Sequence, residues 1–241
     1  MVADALIYHP SVSHYNKFVA TTVGRDKILR TLQYFARFYA WYLFRTNGSK
    51  AEIAPWDAIK KQFGLTRKIM RIGKNVEHFK AAAVASDAKT MDPVLRYAAV
   101  GRQLGYAGYL TFDAATVLDA AGIKKWEGAK RLQKEAYRFW AIGIIFSVIT
   151  QTYTLYRLQQ REAKVDKKEG EGVVEAKRIA IKLTRNNSER AAGRLQLISD
   201  LCDLTVPTSA LAWANFDDGL VGLAGTVSSL IGVYTQWKKT A

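Results

Sequence analysis

Few residues in this chain have the types and spacing that bond-making chemistry requires. Three histidines, His9, His14 and His78, and a single cysteine, Cys202, make no zinc-ligand pattern, and no HExxH occurs. Glu77-His78 is a bare pair with no third group beside it to form a catalytic set. A phosphate loop, a GxGxxG turn and a GxSxG elbow are all absent from the sequence. Glycines 219, 222 and 225 follow the acidic pair Asp217-Asp218, which would repel a phosphate. The sequence therefore predicts no enzyme active site, no cofactor and no metal. What the chain has in quantity is positive charge, 36 Lys and Arg against 21 Asp and Glu, a net +15. Its chemistry is that of holding anions, either nucleic acid or an anionic membrane.

The basic residues are most telling in FGLTRKIMRIGKNVEHFKAA, residues 63–82. Arg67, Lys68, Arg71, Lys74 and Lys80 are interleaved there with Leu65, Ile69, Ile72, Val76 and Phe79. The apolar residues step by four, three, four and three, which places them on one stripe of a helix. That stripe suits either a helical core or the apolar side of a lipid interface, with the cations on phosphate. A second amphipathic stretch, Arg25 to Arg45, repeats the spacing with Ile28, Leu32, Phe35, Tyr39 and Tyr42, and Phe38, Trp41 and Phe44 widen its apolar face.

The elements that must position these residues are helical throughout. Four prolines and few turn clusters predict an all-α chain. Ser11 is a candidate cap for a short first helix ending near Val23. TNGSK (46–50) and SDAKTMDP (86–93) are breaks, and the helix carrying the basic stretch is expected from Trp56 to about Ala85. Residues 94–121 predict another helix, with Gly101 and Gly105 at the spacing of close helix contact, in lipid or in an ordinary helical core.

Two uncharged runs follow, Phe139–Tyr156 and Gly219–Trp237, of 18 and 19 residues. Each meets the length of a membrane-spanning helix, although a buried helix of a soluble protein passes the same test. Ala224, Ser228 and Gly232 form a small-residue ridge on the second run, a further candidate for helix–helix contact. Trp140, Tyr234 and Trp237 sit where interfacial anchors belong. Basic residues flank the first run on both sides and leave its orientation open. The polar segment 157–200 connects the runs, with a loop expected at 166–175. Leu204–Phe216 is either re-entrant or a buried helix. The resulting division is an amphipathic helical region, 1–123, and a membrane-anchoring region, 124–241. Nucleic-acid binding has no motif to support it and leaves both uncharged runs unexplained.

Three stretches, GRDKILRTLQYFARFYAWYL, RKIMRIGKNVEHFKAA and VGRQLGYAGYLTFDAATVLDAAGI, resemble the peroxin-11 family of peroxisomal membrane proteins, particularly its fungal members. With the order of the late apolar runs, the similarity spans nearly the whole chain. The resemblance implies an all-α integral membrane protein with N-terminal amphipathic helices and about two transmembrane helices in its C-terminal half. It implies elongation of the peroxisomal membrane before fission, self-association, and recruitment and stimulation of a dynamin-related fission GTPase with its adaptors. Both termini are then expected in the cytosol, with 157–218 largely in the lumen.

In that setting Leu65, Ile69, Ile72, Val76 and Phe79 would form a wedge in one leaflet, held on anionic lipid by Arg67, Lys68, Arg71, Lys74 and Lys80. A competing function is an oligomeric channel for small metabolites, with Thr150, Gln151, Thr152 and Thr154 lining a polar path unless they bond to their own helix carbonyls. No secretory signal is expected at the start of the chain. The ending WKKTA is no peroxisomal matrix signal, and Lys238 and Lys239 have the spacing of a dilysine retrieval signal.

Overall fold

A computed structural model describes the backbone of residues 7–165 and 173–241, and the side chains among them outside 162–183 and 185. The described residues are helical with no strand: α1 Pro10–Ala20, α2 Thr22–Arg45, α3 Lys50–Met70, α4 Lys74–Asp87, α5 Pro93–Ala115, α6 Val117–Ala120, α7 Ala129–Val165, α8 Val173–Ala210 and α9 Asp218–Thr240. Most of the loop expected at 166–175 lies outside the described residues, and Val173 already opens α8.

Local chemistry fixes the helix ends. His9, not Ser11, caps α1, accepting from the Ser11 backbone N–H, with Pro10 in the first turn. Thr21 caps α2. Asn47 adopts a left-handed φ of 58° in the expected turn. Ser49 and Glu52 then make a reciprocal capping box at the start of α3. Asp92 caps α5 ahead of Pro93.

The helix expected through 56–85 is broken. Residues 71–73 turn, and Gly73 takes φ +83°, open to glycine at little steric cost. Of the segment Leu204–Phe216, Leu204–Ala210 is the end of α8, with Val206 and Pro207 buried, and 211–216 turns beyond the helix with Trp213 exposed.

Close approaches set the packing. A Cβ built on Gly105 would stand 2.5 Å from the Gly143 Cα, and one on Gly101 would meet the Phe146 ring at 2.7 Å. These contacts run α5 antiparallel to α7. Gly219, Gly222 and Gly225 of α9 seat Trp41, Phe38 and Tyr34 of α2, and Gly232 seats the Lys27 stem, again antiparallel. Ser147 bonds Asp200, and Leu155 meets Gly193, so α8 returns along α7. A tight turn after α8 then sends α9 back along it. Consequently α7 and α9 run in the same direction, with α8 as the return between them. The α5–α7 and α2–α9 contacts both cross residue 123, so the amphipathic and anchoring regions are packed together.

Among the described residues one helical stretch, Ala129–Arg161, is long and apolar enough to cross a membrane by length and composition. The second uncharged run, on α9, does not reach that mark.

Candidate functional site

Beside an apolar and aromatic core, the helices enclose several charges and leave large apolar side chains exposed. Arg30, Arg67, Lys68, Asp113 and Asp200 are buried. By contrast Ile142, Ile145 and Ile149 of α7 point outward, as do Leu220, Leu223 and Leu230 of α9 and Ile198 and Leu201 of α8. In water this arrangement would be costly twice over, through desolvated charge and hydrated apolar surface. In lipid it is the favourable order, because polar side chains turn to the bundle interior and apolar ones to the acyl chains.

The basic stretch follows the same logic. Ile69, Ile72, Val76 and Phe79 stand outward, Val76 with 66% of its surface exposed, and Leu65 is half-buried. Arg67 and Lys68, at 7% and 9% exposure, turn the other way. Arg67 donates to Asp26 at 2.9 Å and Gln33 at 2.6 Å. Lys68 donates to Thr116 at 2.6 Å and Gln133 at 2.7 Å, with Asp113 at 3.3 Å. Arg71 pairs with Asp113 at 3.0 Å.

Three of the five cations expected on lipid phosphate are thus held inside the bundle by carboxylates from α2 and α5. The reason is geometric: they lie opposite the stripe, and the stripe faces out. Lys74 is half-buried and Lys80 is exposed. The turn at 71–73 does not rotate the stripe inward, since Val76 and Phe79 beyond it remain on the surface.

The α2 stripe behaves alike. Leu32, Phe35 and Tyr42 are exposed, whereas Arg30 is buried against Asp203, and Tyr34 lies beneath the Arg30 guanidinium. Burial alone would raise the Asp26 carboxyl, but Arg67 and Arg71 outweigh it and hold the group below the usual carboxylate range. Burial, joined by repulsion from Arg30, lowers the Lys27 ammonium to about 8. Ser147 and Gln196 both donate to the Asp200 carboxylate, at 2.6 and 2.8 Å.

The small-residue candidates lie within the chain's own seams. Gly101 and Gly105 pack on α7, and Gly232 packs on Lys27. Ser228 is buried, its hydroxyl donating to the Gly225 carbonyl at 3.1 Å, and Ala224 is half-buried. The α9 seam begins at Gly219, Gly222 and Gly225, ahead of the expected ridge, and continues to its Gly232. Trp140 is buried and stacked on Tyr109 at 5.1 Å, so it is a core residue and not an interfacial anchor. Thr150 donates to its own helix, at the Phe146 carbonyl. His78 donates to or accepts from Gln103 at 2.7 Å and makes no catalytic pair with Glu77, which is exposed.

A helical bundle that buries paired charges and turns large aliphatic side chains of α7, α8 and α9 outward has a build that suits an integral membrane protein. Residues 12–237 match the peroxisomal biogenesis factor 11 (PEX11) family, and the chain belongs to it. It is 28% identical to peroxisomal membrane protein PMP30B of Candida boidinii, covering 100% of this chain and 99% of that one. It is also 28% identical to peroxisomal membrane protein PMP27 of Saccharomyces cerevisiae over 100% of both chains. Human peroxisomal membrane protein 11B is 22% identical over 91% of this chain and 94% of its own. No solved structure matches. Membership carries a broad role in peroxisome proliferation.

Proposed function

We propose that this protein curves and elongates the peroxisomal membrane by inserting the apolar stripe of α3 and α4 into one leaflet, so promoting peroxisome division. The observation that carries the reading is the outward exposure of Ile69, Ile72, Val76 and Phe79 beside a buried set of cations. A stripe of this kind lies roughly 5–10 Å into the headgroup boundary. Each large apolar side chain contributes about 1.5–3 kcal/mol if fully buried, so four residues suffice for firm but reversible insertion once the helix bundle anchors them nearby. Leu65 adds to the wedge at its half-buried edge.

The electrostatic clause narrows to the cations outside the core. Lys80 and the half-buried Lys74 remain candidates for lipid phosphate, each adding about 1 kcal/mol on anionic lipid, whereas Arg67, Lys68 and Arg71 act in the bundle interior. Clustering of copies and recruitment of a dynamin-related fission GTPase with its adaptors complete the reading; both rest on the family resemblance. For topology, we propose a multi-pass arrangement in which α8 crosses along with α7 and α9. Cytosolic placement of both termini then asks for one more crossing before Ala129.

Polar replacement of the stripe tests the proposal. Ile69, Ile72, Val76 and Phe79 are surface residues, so changing all four to serine should leave the helix content and the unfolding midpoint nearly unchanged. Full-length protein in anionic liposomes should then lose tubulation, seen by electron microscopy, by about ten-fold or more, the loss of several kcal/mol of insertion energy. Tubules of undiminished number from a folded quadruple variant would sink the wedge.

The channel reading keeps one supporting observation, a polar interior, but Thr150 bonds to its own helix and the described interior is crossed by ion pairs. Discrete single-channel conductance from purified protein would revive it.

A further inference from the structure

A half-open cavity of about 480 Å³ is lined from α2, α3, α4, α5, α7, α8 and α9. Eight cationic side chains line it against four carboxylates. Internal pairing consumes only half of those cations: Arg30 on Asp203, Arg67 on Asp26, and Lys68 with Arg71 on Asp113. The fourth carboxylate, Asp200, is already bonded by Ser147 and Gln196.

Lys27, Lys74, Arg102 and Lys239 line the same cavity and have no ion-pair partner among the described residues. The Nε atoms of Arg71 and Arg102 are buried and lack any hydrogen-bond partner among the described residues. A buried donor left unmade costs about 1–3 kcal/mol, more where it is charged. Two such donors sit beside four cations that make no salt bridge of their own among the described residues. Arg102 lies over the Tyr106 ring, and Lys27 feels Asp26 and Asp203 only at longer range. Eight cations against four carboxylates leave the cavity short of an anion. Lys239 is exposed while also lining the cavity, so the space communicates with the surface.

We propose that this cavity is a binding site for a multiply charged phosphate, either a soluble phosphate ester or the phosphorylated headgroup of a lipid, held chiefly by Arg102, Lys27, Lys74 and the Nε of Arg71. The phosphate oxygens accept from the unpaired guanidinium donors, and guanidinium groups suit that planar, multidentate recognition. Tyr34, Tyr106 and Tyr109 form an aromatic wall that accommodates the uncharged part of the ligand. The volume admits a ligand of small-molecule size. This inference stands apart from the wedge, whose apolar residues lie on the outer surface; Lys74 is the one cation that both readings use, and the test variants avoid it.

The test uses full-length protein in nanodiscs of neutral lipid, with inorganic pyrophosphate titrated by calorimetry and by thermal unfolding. A parallel set of discs contains a few per cent of a phosphoinositide. Saturable, salt-sensitive pyrophosphate binding that raises the melting temperature, and weakens about ten-fold or more in Arg102→Gln, supports a soluble ligand. A melting-temperature rise seen only with phosphoinositide discs, and lost in Arg102→Gln, supports the headgroup source. Lys27→Gln provides a second variant should Arg102→Gln fail to fold, and Arg102→Lys should retain part of the affinity. No saturable effect of either phosphate, or effects unchanged in folded Arg102→Gln and Lys27→Gln proteins, overturns the proposal.

Discussion

Replacing Asp113 with alanine is expected to destabilise the protein by about 3–5 kcal/mol, the usual result of removing one partner from a buried ion set. Asp113 is buried and serves two cations at once, Lys68 at 3.3 Å and Arg71 at 3.0 Å. The Gln133 amide also donates to it, at 3.4 Å. Alanine would strand Lys68 between Thr116 and Gln133 and leave Arg71 over Tyr109 with only the more distant Asp26, already paired with Arg67. An SDS titration of detergent-solubilised protein, followed by circular dichroism, measures the loss. Replacing Lys68, Arg71 and Asp113 together with Met, Met and Leu should recover most of it, because the burial cost of all three charges disappears at once. Equal stability of Asp113→Ala and wild type would mean that α3 does not close onto α5 through these pairs.

The second large effect falls on Gly105. In an ordinary helix interior Gly→Ala stabilises by about 1 kcal/mol through backbone entropy. At Gly105 the new Cβ would stand 2.5 Å from the Gly143 Cα and 2.6 Å from its nitrogen. Both are backbone atoms that no rotamer change can move aside. Overpacking of that kind costs about 1–3 kcal/mol and outweighs the propensity gain, so Gly105→Ala should unfold earlier and Gly105→Leu earlier still. Gly64→Ala is the control. There the Cβ meets the end of the Gln33 side chain at 2.9 Å, which can shift at the expense of its bond from Arg67, so the substitution should cost less than Gly105→Ala. If Gly105→Ala proved as stable as Gly64→Ala, the α5–α7 seam would be looser than its contacts imply.

Much of the helical frame was legible because helix ends carry local chemistry. Asn47-Gly48, Ser49 with Glu52, and Asp92-Pro93 act within a few residues and need no partner from afar. The periodic stripes at 65–79 and 28–42 were legible as faces, but spacing gives a face without its direction. The usual inference that apolar means inward holds for a chain in water. Here Val76 and Leu32 face out while Arg67 and Arg30 face in, so the three cations placed on lipid phosphate lie in the core instead.

Their partners were out of reach for the same chain-local reason. Asp26 and Asp113 lie 41 and 42 residues from Arg67 and Arg71, and Asp203 lies 173 from Arg30. Nothing local announces such pairs. The break at 71–73 did have a signal, Gly73, but one glycine inside a helical pattern costs only about 1 kcal/mol and does not by itself stop a helix. On α9 the glycines at 219, 222 and 225 were visible and dismissed for phosphate. Their value lies in the missing side chains, which admit Trp41, Phe38 and Tyr34 from a helix almost two hundred residues earlier.

The proposal stands or falls on whether the α3–α4 stripe sits in lipid. Cys202 is the chain's single cysteine, so Cys202→Ser gives a clean background for one nitroxide label at Val76. The full-length labelled protein would be placed in anionic vesicles, and its collision rates with oxygen and with a water-soluble nickel complex compared. Oxygen should dominate, at a depth of roughly 5–10 Å below the headgroup boundary. A label at Val76 as open to the nickel complex as one at Gly48, in the turn before α3, would contradict lipid insertion and leave the stripe as a surface for protein contact.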